Sequence, residues 1–270
     1  MTSPDRKNMT KWLGVSESRM DTVPVIRDGF IEVLEFRNLK IGDKVIVGRT
    51  EDGSEGIYLY TEGFNTEDSS FEMFQFRSGR TRETAFSKDY DELAQIMKYE
   101  RANKGHIVWV LGSSISMDLR TRFNFSQIIK SGYVNAVITG NTMATVDLMK
   151  GLKSDNPFIQ SRASDSRSET LQDYITISKV REMGSIENAV KGGIVEDGIM
   201  KTLVDYNIPF VIAGSIRDRY KLPETYNNVY EAQDAMRFHT RKATMLICLS
   251  SVLFTIASGN MTPLIIYSTK

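Results

Sequence analysis

Apolar runs in the second half of the chain alternate with segments that have helical spacing. Short continuous apolar runs are typical of strands buried on both faces, and their alternation with amphipathic segments is typical of βα units. We therefore predict an α/β fold with a largely parallel sheet. The predicted strands are 106–111, 134–139, 208–213 and 244–249.

The chain before residue 104 has a different pattern. Between residues 23 and 60, short strand-like runs are separated by Asp-Gly turn signals, which predicts a small antiparallel β domain. The spacing of Leu93, Ile96 and Met97 predicts a helix over 90–103. The predicted organisation is a polar arm (1–20), a β-rich N-terminal domain (21–103) and an α/β domain (104–270).

Composition narrows the class of protein. The 270 residues contain 34 Lys and Arg against 34 Asp and Glu, so no excess positive field favours a nucleic acid or an anionic membrane. The single cysteine, Cys248, excludes an intramolecular disulfide and a cysteine-based zinc site, and its apolar surroundings predict a buried small hydrophobic residue. This cysteine usage fits a reducing compartment, and we expect the cytoplasm.

Neither a membrane span nor a secretory signal is predicted. The most apolar stretch, 243–257, is shorter than the roughly 18–20 residues that a spanning helix needs. Its pattern predicts a buried strand that runs into a helix. The first twenty residues carry scattered charges and no continuous apolar segment.

Small and polar residues follow each predicted parallel strand. The carboxyl ends of parallel strands lie at one edge of the sheet, where open α/β folds bind their ligands. Glycine allows backbone N–H groups to approach a phosphate, and the next helix adds a favourable dipole. Together the turns predict a nucleotide-binding site, although each one alone could be an ordinary βα connection. They are Gly112-Ser113-Ser114, Gly140-Asn141-Thr142, Gly214-Ser215-Ile216-Arg217-Asp218 and Ser250-Ser251.

The usual catalytic motifs are missing from the sequence. It contains no Gly-x-Gly-x-x-Gly at a strand end, P-loop, Gly-x-Ser-x-Gly or His-Glu-x-x-His, so any dinucleotide is bound differently from an ordinary Rossmann domain. The two histidines, His106 and His239, predict neither a metal site nor a nucleophile pair. Asp218 follows a strand and could accept a ribose hydroxyl or act as a base. The alternatives are a helix N-cap or an ion pair with Arg217 or Arg219.

An ordered set of segments is more specific than any single motif. Over residues 20–263 the chain resembles the archaeal-type, NAD-dependent ornithine cyclodeaminases, also known as the LOR/SDH bifunctional-enzyme conserved region. The segments that carry the resemblance are MDTVPVIRDGFIEVLEFRNLKIGDKVIVG (20–48), GYVNAVITGNTMATVDL (132–148), GSIENAVKGGIVEDGIM (184–200), IPFVIAGSIRD (208–218), EAQDAM (231–236) and LSSVLFTIASGNMTP (249–263).

The resemblance implies a fold, a cofactor site and an assembly. The expected fold is a small β-rich N-terminal domain joined to a parallel-sheet, deoxyhypusine-synthase-like NAD-binding domain, in a homo-oligomer. The residues that the resemblance assigns to NAD are Gly140, Asn141, Thr142, Asp218, Ser250, Ser251, Val252, Leu253 and Phe254. No metal is implied.

The resemblance also implies a reaction on a small amino acid, ornithine or a related basic one. NAD⁺ takes a hydride from the α-carbon of ornithine, the δ-amine attacks the resulting imine, and ammonia leaves. The same NADH then reduces the ring imine to proline. Asp218 is expected to contact the ribose, with the substrate amine as the alternative.

This chain departs from the family pattern at three places and also ends early. Residues 168–174 lack the family's histidines, Phe254 replaces a histidine, and Arg219–Glu224 replaces part of the IRDDGPLPD motif. The sequence ends at Lys270, so we expect an exposed sheet edge and fewer cofactor contacts. The alternatives to an active enzyme are a catalytically silent NAD-binding paralogue with a regulatory role and an interaction protein that acts through its β domain.

Overall fold

The computed structural model describes residues 15, 17–18, 20–48, 50, 54, 87–153 and 166–265. The chain divides into two compact units, Phe86–Thr262 on the one hand and Met1–Ala85 with Pro263–Lys270 on the other. No helix in the described ranges is long and apolar enough to cross a membrane.

The smaller unit contains short antiparallel strands. Strands β2 and β3 form a hairpin whose two-residue turn, Asp28-Gly29, has positive φ at both positions, as a type I′ turn requires. The predicted antiparallel β structure is confirmed here, while the runs predicted near residue 60 lie outside the described residues. The strands are β1 (Glu17–Ser18), β2 (Thr22–Arg27), β3 (Phe30–Glu35) and β4 (Lys44–Val45), with β10 (Leu264–Ile265) paired to β1 and β4 paired to β2.

The larger unit is built on a parallel sheet with the order β8-β7-β6-β5-β9. All four strands predicted from apolar runs are present, and the predicted α/β fold class is confirmed. Strand β8 was not predicted because two residues are too short to show a pattern. The strands are β5 (Ile107–Leu111), β6 (Ala136–Gly140), β7 (Phe210–Ala213), β8 (Thr225–Tyr226) and β9 (Met245–Leu249).

Helices cover both faces of this sheet. Ile107, Trp109 and Leu111 point into one core, whereas Val108 and Val110 point into the other, and this explains why β5 is apolar throughout. The helices are α1 (Ser87–Ala102), α2 (Ser114–Met117), α3 (Leu119–Lys130), α4 (Asn141–Gly151), α5 (Ser166–Glu182), α6 (Ile186–Lys191), α7 (Ile199–Asp205), α8 (Val229–Thr240) and α9 (Val252–Gly259).

The strand and helix predicted within 243–257 are confirmed as β9 and α9. Strand β9 is less buried than expected, because only Ile247 of its five residues is buried. The reason is its position, because β9 pairs with β5 on one side and is an edge strand within the described part of the chain.

The observed division of the chain differs from the boundary predicted at residue 103. Helix α1 belongs to the larger unit, because Thr244 donates a hydrogen bond to Glu100 Oε2 (2.5 Å) and the Arg101 guanidinium lies 5.0 Å from the ring centre of Tyr133. The last residues belong instead to the smaller unit, where β10 pairs with β1. Such long-range contacts are not visible in local spacing.

Candidate functional site

A cavity of about 470 Å³ lies at the carboxyl ends of β5, β6 and β9. The chain leaves β5 toward β6 on one side, and β9 lies on the other, so the cavity is at the switch point of the sheet, where open α/β folds bind ligands. Its volume is within the usual range for small-molecule sites. The lining residues, none of them charged, are Leu111, Gly112, Ser113, Ser114, Gly140, Thr142, Met143, Ser250, Ser251 and Phe254.

The structure brings together some of the predicted cofactor residues and not others. Gly140, Thr142, Ser250, Ser251 and Phe254 all line the cavity. The remaining predicted residues are not among its lining: Val252 and Leu253, which are exposed on α9, and Asn141 and Asp218, whose side chains make contacts described below.

Two helix N-termini border the cavity. Helix α4 begins directly after Gly140, which has no side chain to cap the first N–H groups of the helix. Helix α9 begins after Ser251, whose hydroxyl accepts from the Phe254 N–H at 3.4 Å. Unsatisfied N–H groups and the positive end of the helix dipole favour anions at such positions. The uncharged cavity can therefore hold a phosphate by backbone groups.

Gly112 allows the end of β5 to lie directly against the end of β9. Its N–H donates to the Leu249 carbonyl (2.8 Å), and a Cβ at this position would lie 3.0 Å from the Ser250 Cα. Gly140, in contrast, has space, because the nearest atom to an added Cβ is the Ala213 carbonyl oxygen at 3.9 Å.

The two cavity glycines are thus expected to respond differently to the same substitution. Gly112→Ala should lower the free energy of unfolding by about 1–3 kcal/mol, because the added methyl group meets main-chain atoms of Leu249 and Ser250, at the end of β9, that cannot rotate away. Gly140→Ala is the matched control and should change stability by less than about 1 kcal/mol in either direction. Urea unfolding of both variants measures the difference, and equal stabilities would contradict the close approach at Gly112.

Asn141 holds the loop that follows β7. Its amide Nδ2 donates to the Tyr220 carbonyl (2.9 Å), and its Oδ1 accepts from the Leu222 N–H (2.9 Å) and the Thr225 hydroxyl (3.0 Å). The side chain is 4% exposed. Asn141 therefore connects the end of β6 to a loop nearly eighty residues away in sequence, and its side chain is directed into that loop.

Asp218 lies in the same loop and stabilises its turn. Its Oδ2 accepts from the Ser215 N–H (2.6 Å), and its own N–H donates to the Ser215 carbonyl (3.1 Å). The residue is half-buried. Asp218 does not cap a helix, because no described helix begins directly after it, and no ion pair with Arg217 or Arg219 is present among the described residues.

The sequence does not predict a buried ion pair between Arg122 and Asp147. Asp147 on α4 accepts from Arg122 Nε (2.5 Å) and from the backbone N–H groups of Ile199 (3.0 Å) and Met200 (2.7 Å). Burial raises the pKa of the Asp147 carboxyl, and the Arg122 guanidinium and the two N–H groups oppose that shift. The available signal was a carboxylate inside the apolar-periodic segment 141–148. Arg122 and Asp147 fix α3, α4 and α7 together.

The histidines and the cysteine lie away from the cavity lining. His106 directly precedes β5 at the amino edge of the sheet, and His239 is in the last turn of α8. Burial lowers the pKa of both imidazoles and raises the pKa of the Cys248 thiol. The thiolate form of Cys248 is thereby disfavoured, which fits its prediction as a small apolar residue.

Comparison with sequence families and curated proteins gives consistent matches. The family described as arginine dihydrolase ArgZ-like, C-terminal, Rossmann fold, matches residues 91–269. Ornithine cyclodeaminase of Methanocaldococcus jannaschii is 32% identical over 264 residues, a match that covers 94% of this chain and 60% of that protein. The bifunctional arginine dihydrolase/ornithine cyclodeaminase AgrE of Nostoc sp. is 30% identical over 259 residues, covering 94% of this chain and 36% of AgrE.

Solved structures share the fold as well. A putative LOR/SDH protein from Methanococcus maripaludis S2 matches with a TM-score of 0.74 and 26% identity, covering 94% of this chain and 74% of that one. The ternary complex of AgrE with ornithine and NAD⁺ matches with a TM-score of 0.60 and 26% identity, covering 91% of this chain and 33% of that one. This chain spans about 60% of the length of the archaeal ornithine cyclodeaminase it matches.

Proposed function

Since the chain belongs to the family of arginine dihydrolase ArgZ-like C-terminal Rossmann-fold domains, we propose that its α/β unit binds NAD and acts as an ornithine cyclodeaminase. The family membership confirms the resemblance drawn from the sequence motifs. The observation that carries the proposal is the uncharged cavity at the carboxyl ends of β5, β6 and β9, bordered by the N-termini of α4 and α9. A relative with this fold, AgrE, has been solved with ornithine and NAD⁺.

The residues around the cavity fit a dinucleotide. Gly112 and Gly140 present backbone without side chains, and the hydroxyls of Thr142, Ser250 and Ser251 can donate to phosphate oxygens. Apolar surface for a ring comes from Leu111, Met143 and Phe254. The pyrophosphate charge would be stabilised by the two helix N-termini, because no basic side chain lines this cavity.

Asn141 and Asp218 are proposed to act beside the cavity. Asn141 positions the loop after β7 through its three hydrogen bonds. Asp218 is proposed to offer a carboxylate oxygen to a ribose hydroxyl, with the substrate amine as the alternative contact. Val252 and Leu253 are proposed to contribute to cofactor binding only through their backbone at the start of α9, since their side chains are exposed.

The proposed reaction converts ornithine, or a related basic amino acid, to proline with release of ammonia. NAD, when bound, supplies a hydride acceptor that later returns the hydride, so no external oxidant is consumed. The task of the chain's own residues is to hold the α-carbon of the substrate beside the cofactor and to exclude water from the cavity while the ring closes.

The assembly is proposed to be a homo-oligomer in the cytoplasm. Helix α9 exposes apolar side chains that a protein interface would cover, with Val252 at 59%, Leu253 at 81% and Ile256 at 53% exposure. Contiguous exposed apolar residues of this kind commonly mark interaction surfaces.

Calorimetric titration with NAD⁺, followed by ornithine, tests the proposed function, with proline and ammonia assayed in the same sample. We expect saturable binding of NAD⁺ and equal amounts of the two products. Binding without product would leave a catalytically silent NAD-binding paralogue. Absence of binding, in a sample whose unfolding transition shows an intact fold, would overturn the assignment of the cavity.

A further inference from the structure

The elements around the cavity carry almost no charged side chains. Strands β5, β6 and β9 and the helices that follow them, α2, α4 and α9, contain one carboxylate, Asp147, and one ammonium group, Lys150. Asp147 is buried and accepts from Arg122, and Lys150 donates to the Met117 carbonyl. Neither residue lines the cavity. Within the described part of the chain, the cavity lining therefore offers no carboxylate to a positively charged group.

The main chain gives the same cavity a positive potential. Helices α4 and α9 both begin there, and the first of them has no side-chain cap at Gly140. The N-terminus of each helix is equivalent to roughly half an elementary positive charge. Electrostatic effects of this kind are stronger in a site sheltered from water than in bulk solvent. A cation placed in the cavity would meet two positive helix ends and no negative side chain among the described residues that line it.

The oxidised and reduced forms of the proposed cofactor differ in charge at one ring. The nicotinamide ring carries a positive charge in NAD⁺ and none in NADH. The proposed reaction requires this ring to be shielded from water while the substrate reacts. The cavity lining supplies apolar side chains for such a ring, namely Leu111, Met143 and Phe254. Burial of a cationic ring without a counter-charge costs free energy, whereas burial of the neutral ring does not carry that cost.

We propose that the nicotinamide ring lies in this cavity and that the cavity binds NADH more tightly than NAD⁺. This inference rests on the proposed function, because it concerns the same cofactor and the same site. Charge near the ring is one of the means by which a protein adjusts a nicotinamide cofactor. In the proposed reaction the reduced cofactor must stay bound until the ring imine has been reduced. A preference for NADH keeps the cofactor in place between the two steps.

Calorimetric titrations of the full chain with NADH and with NAD⁺ test the inference, and two substitutions at Thr142 test its cause. Thr142 lines the cavity, is exposed and is the second residue of α4, where an acidic side chain suits the helix dipole. Thr142→Asp and Thr142→Asn introduce side chains of nearly the same shape that differ by one negative charge. We expect the unaltered chain to bind NADH about tenfold more tightly than NAD⁺.

The ratio of the two affinities separates the effect of charge from a general loss of binding. Thr142→Asp should reduce the preference for NADH at least about threefold, because its carboxylate favours the cationic ring, while Thr142→Asn should keep the preference. Equal binding of NADH and NAD⁺ by the unaltered chain would overturn the inference and leave the proposed function standing. The same ratio in the Asp and Asn variants would also overturn it. Binding of neither dinucleotide by a folded sample would overturn both proposals.

Discussion

Replacement of Asp147 by alanine is expected to lower the free energy of unfolding by about 3–5 kcal/mol. The carboxylate is fully buried, and Arg122, 4% exposed, donates to it from Nε. Without Asp147, the guanidinium keeps only Asp197 as an anionic partner, and the N–H groups of Ile199 and Met200 lose their acceptor. The loss is large because a buried guanidinium that gives up its buried partner cannot replace it with water, and Asp197 is itself largely exposed to solvent. Urea unfolding followed by circular dichroism measures the loss.

An exposed ion pair between an aspartate and a lysine provides the control. Asp205 pairs with Lys201 across one turn of α7, and both side chains are partly exposed to solvent. Asp205→Ala should therefore cost no more than about 1 kcal/mol. The double replacement Arg122→Met with Asp147→Leu should recover much of the lost stability, because it removes both charges together. If Asp147→Ala were as stable as Asp205→Ala, the buried ion pair would not support the packing of α3, α4 and α7.

The parallel sheet could be predicted because its strands are apolar on both faces. Ile107 and Trp109 pack in one core and Val108 in the other, so the sequence of β5 is a continuous apolar run. A surface helix needs a polar face, so this run does not fit one. The four residues of α2 and the two of β8 are set by contacts with their neighbours, and segments this short carry no periodicity. The same limit applies to the boundary before α1, which depends on the hydrogen bond between Thr244 and Glu100.

Only part of the candidate site could be predicted from the sequence. The meeting of Gly112, Gly140 and Ser250 follows from strand direction alone, because parallel strands bring their carboxyl ends to one edge. The directions of the Asn141 and Asp218 side chains depend on how the loop after β7 folds back, and tertiary contacts decide that. The partner of Asp147 is 25 residues away, on another helix, and one sequence cannot identify it. The NAD contacts themselves stay predictions.

Asn141→Ala is expected to destabilise the chain by about 3 kcal/mol and to weaken dinucleotide binding at least about tenfold. The substitution leaves the Leu222 N–H and the Thr225 hydroxyl without their acceptor in a buried setting, and it removes the donor to the partly buried Tyr220 carbonyl. Each such group costs roughly 1–3 kcal/mol. The loop that carries Asp218 would then lose its attachment to the end of β6. Urea unfolding and calorimetry with NAD⁺ measure the two effects.

Two further variants separate the loop attachment from a general effect of losing an amide. Asn103→Ala removes an exposed side-chain hydrogen bond to the Tyr99 carbonyl and should change stability by less than about 1 kcal/mol, with NAD⁺ affinity unaltered. Asn141→Asp keeps an acceptor for the Leu222 N–H but sets a carboxylate oxygen against the Tyr220 carbonyl, so its stability should lie between those of Asn141→Ala and the unaltered chain. If Asn141→Ala matched Asn103→Ala in both measurements, Asn141 would not hold the loop. A loss of stability with unchanged NAD⁺ affinity would instead show that the loop is attached there but takes no part in the cofactor site.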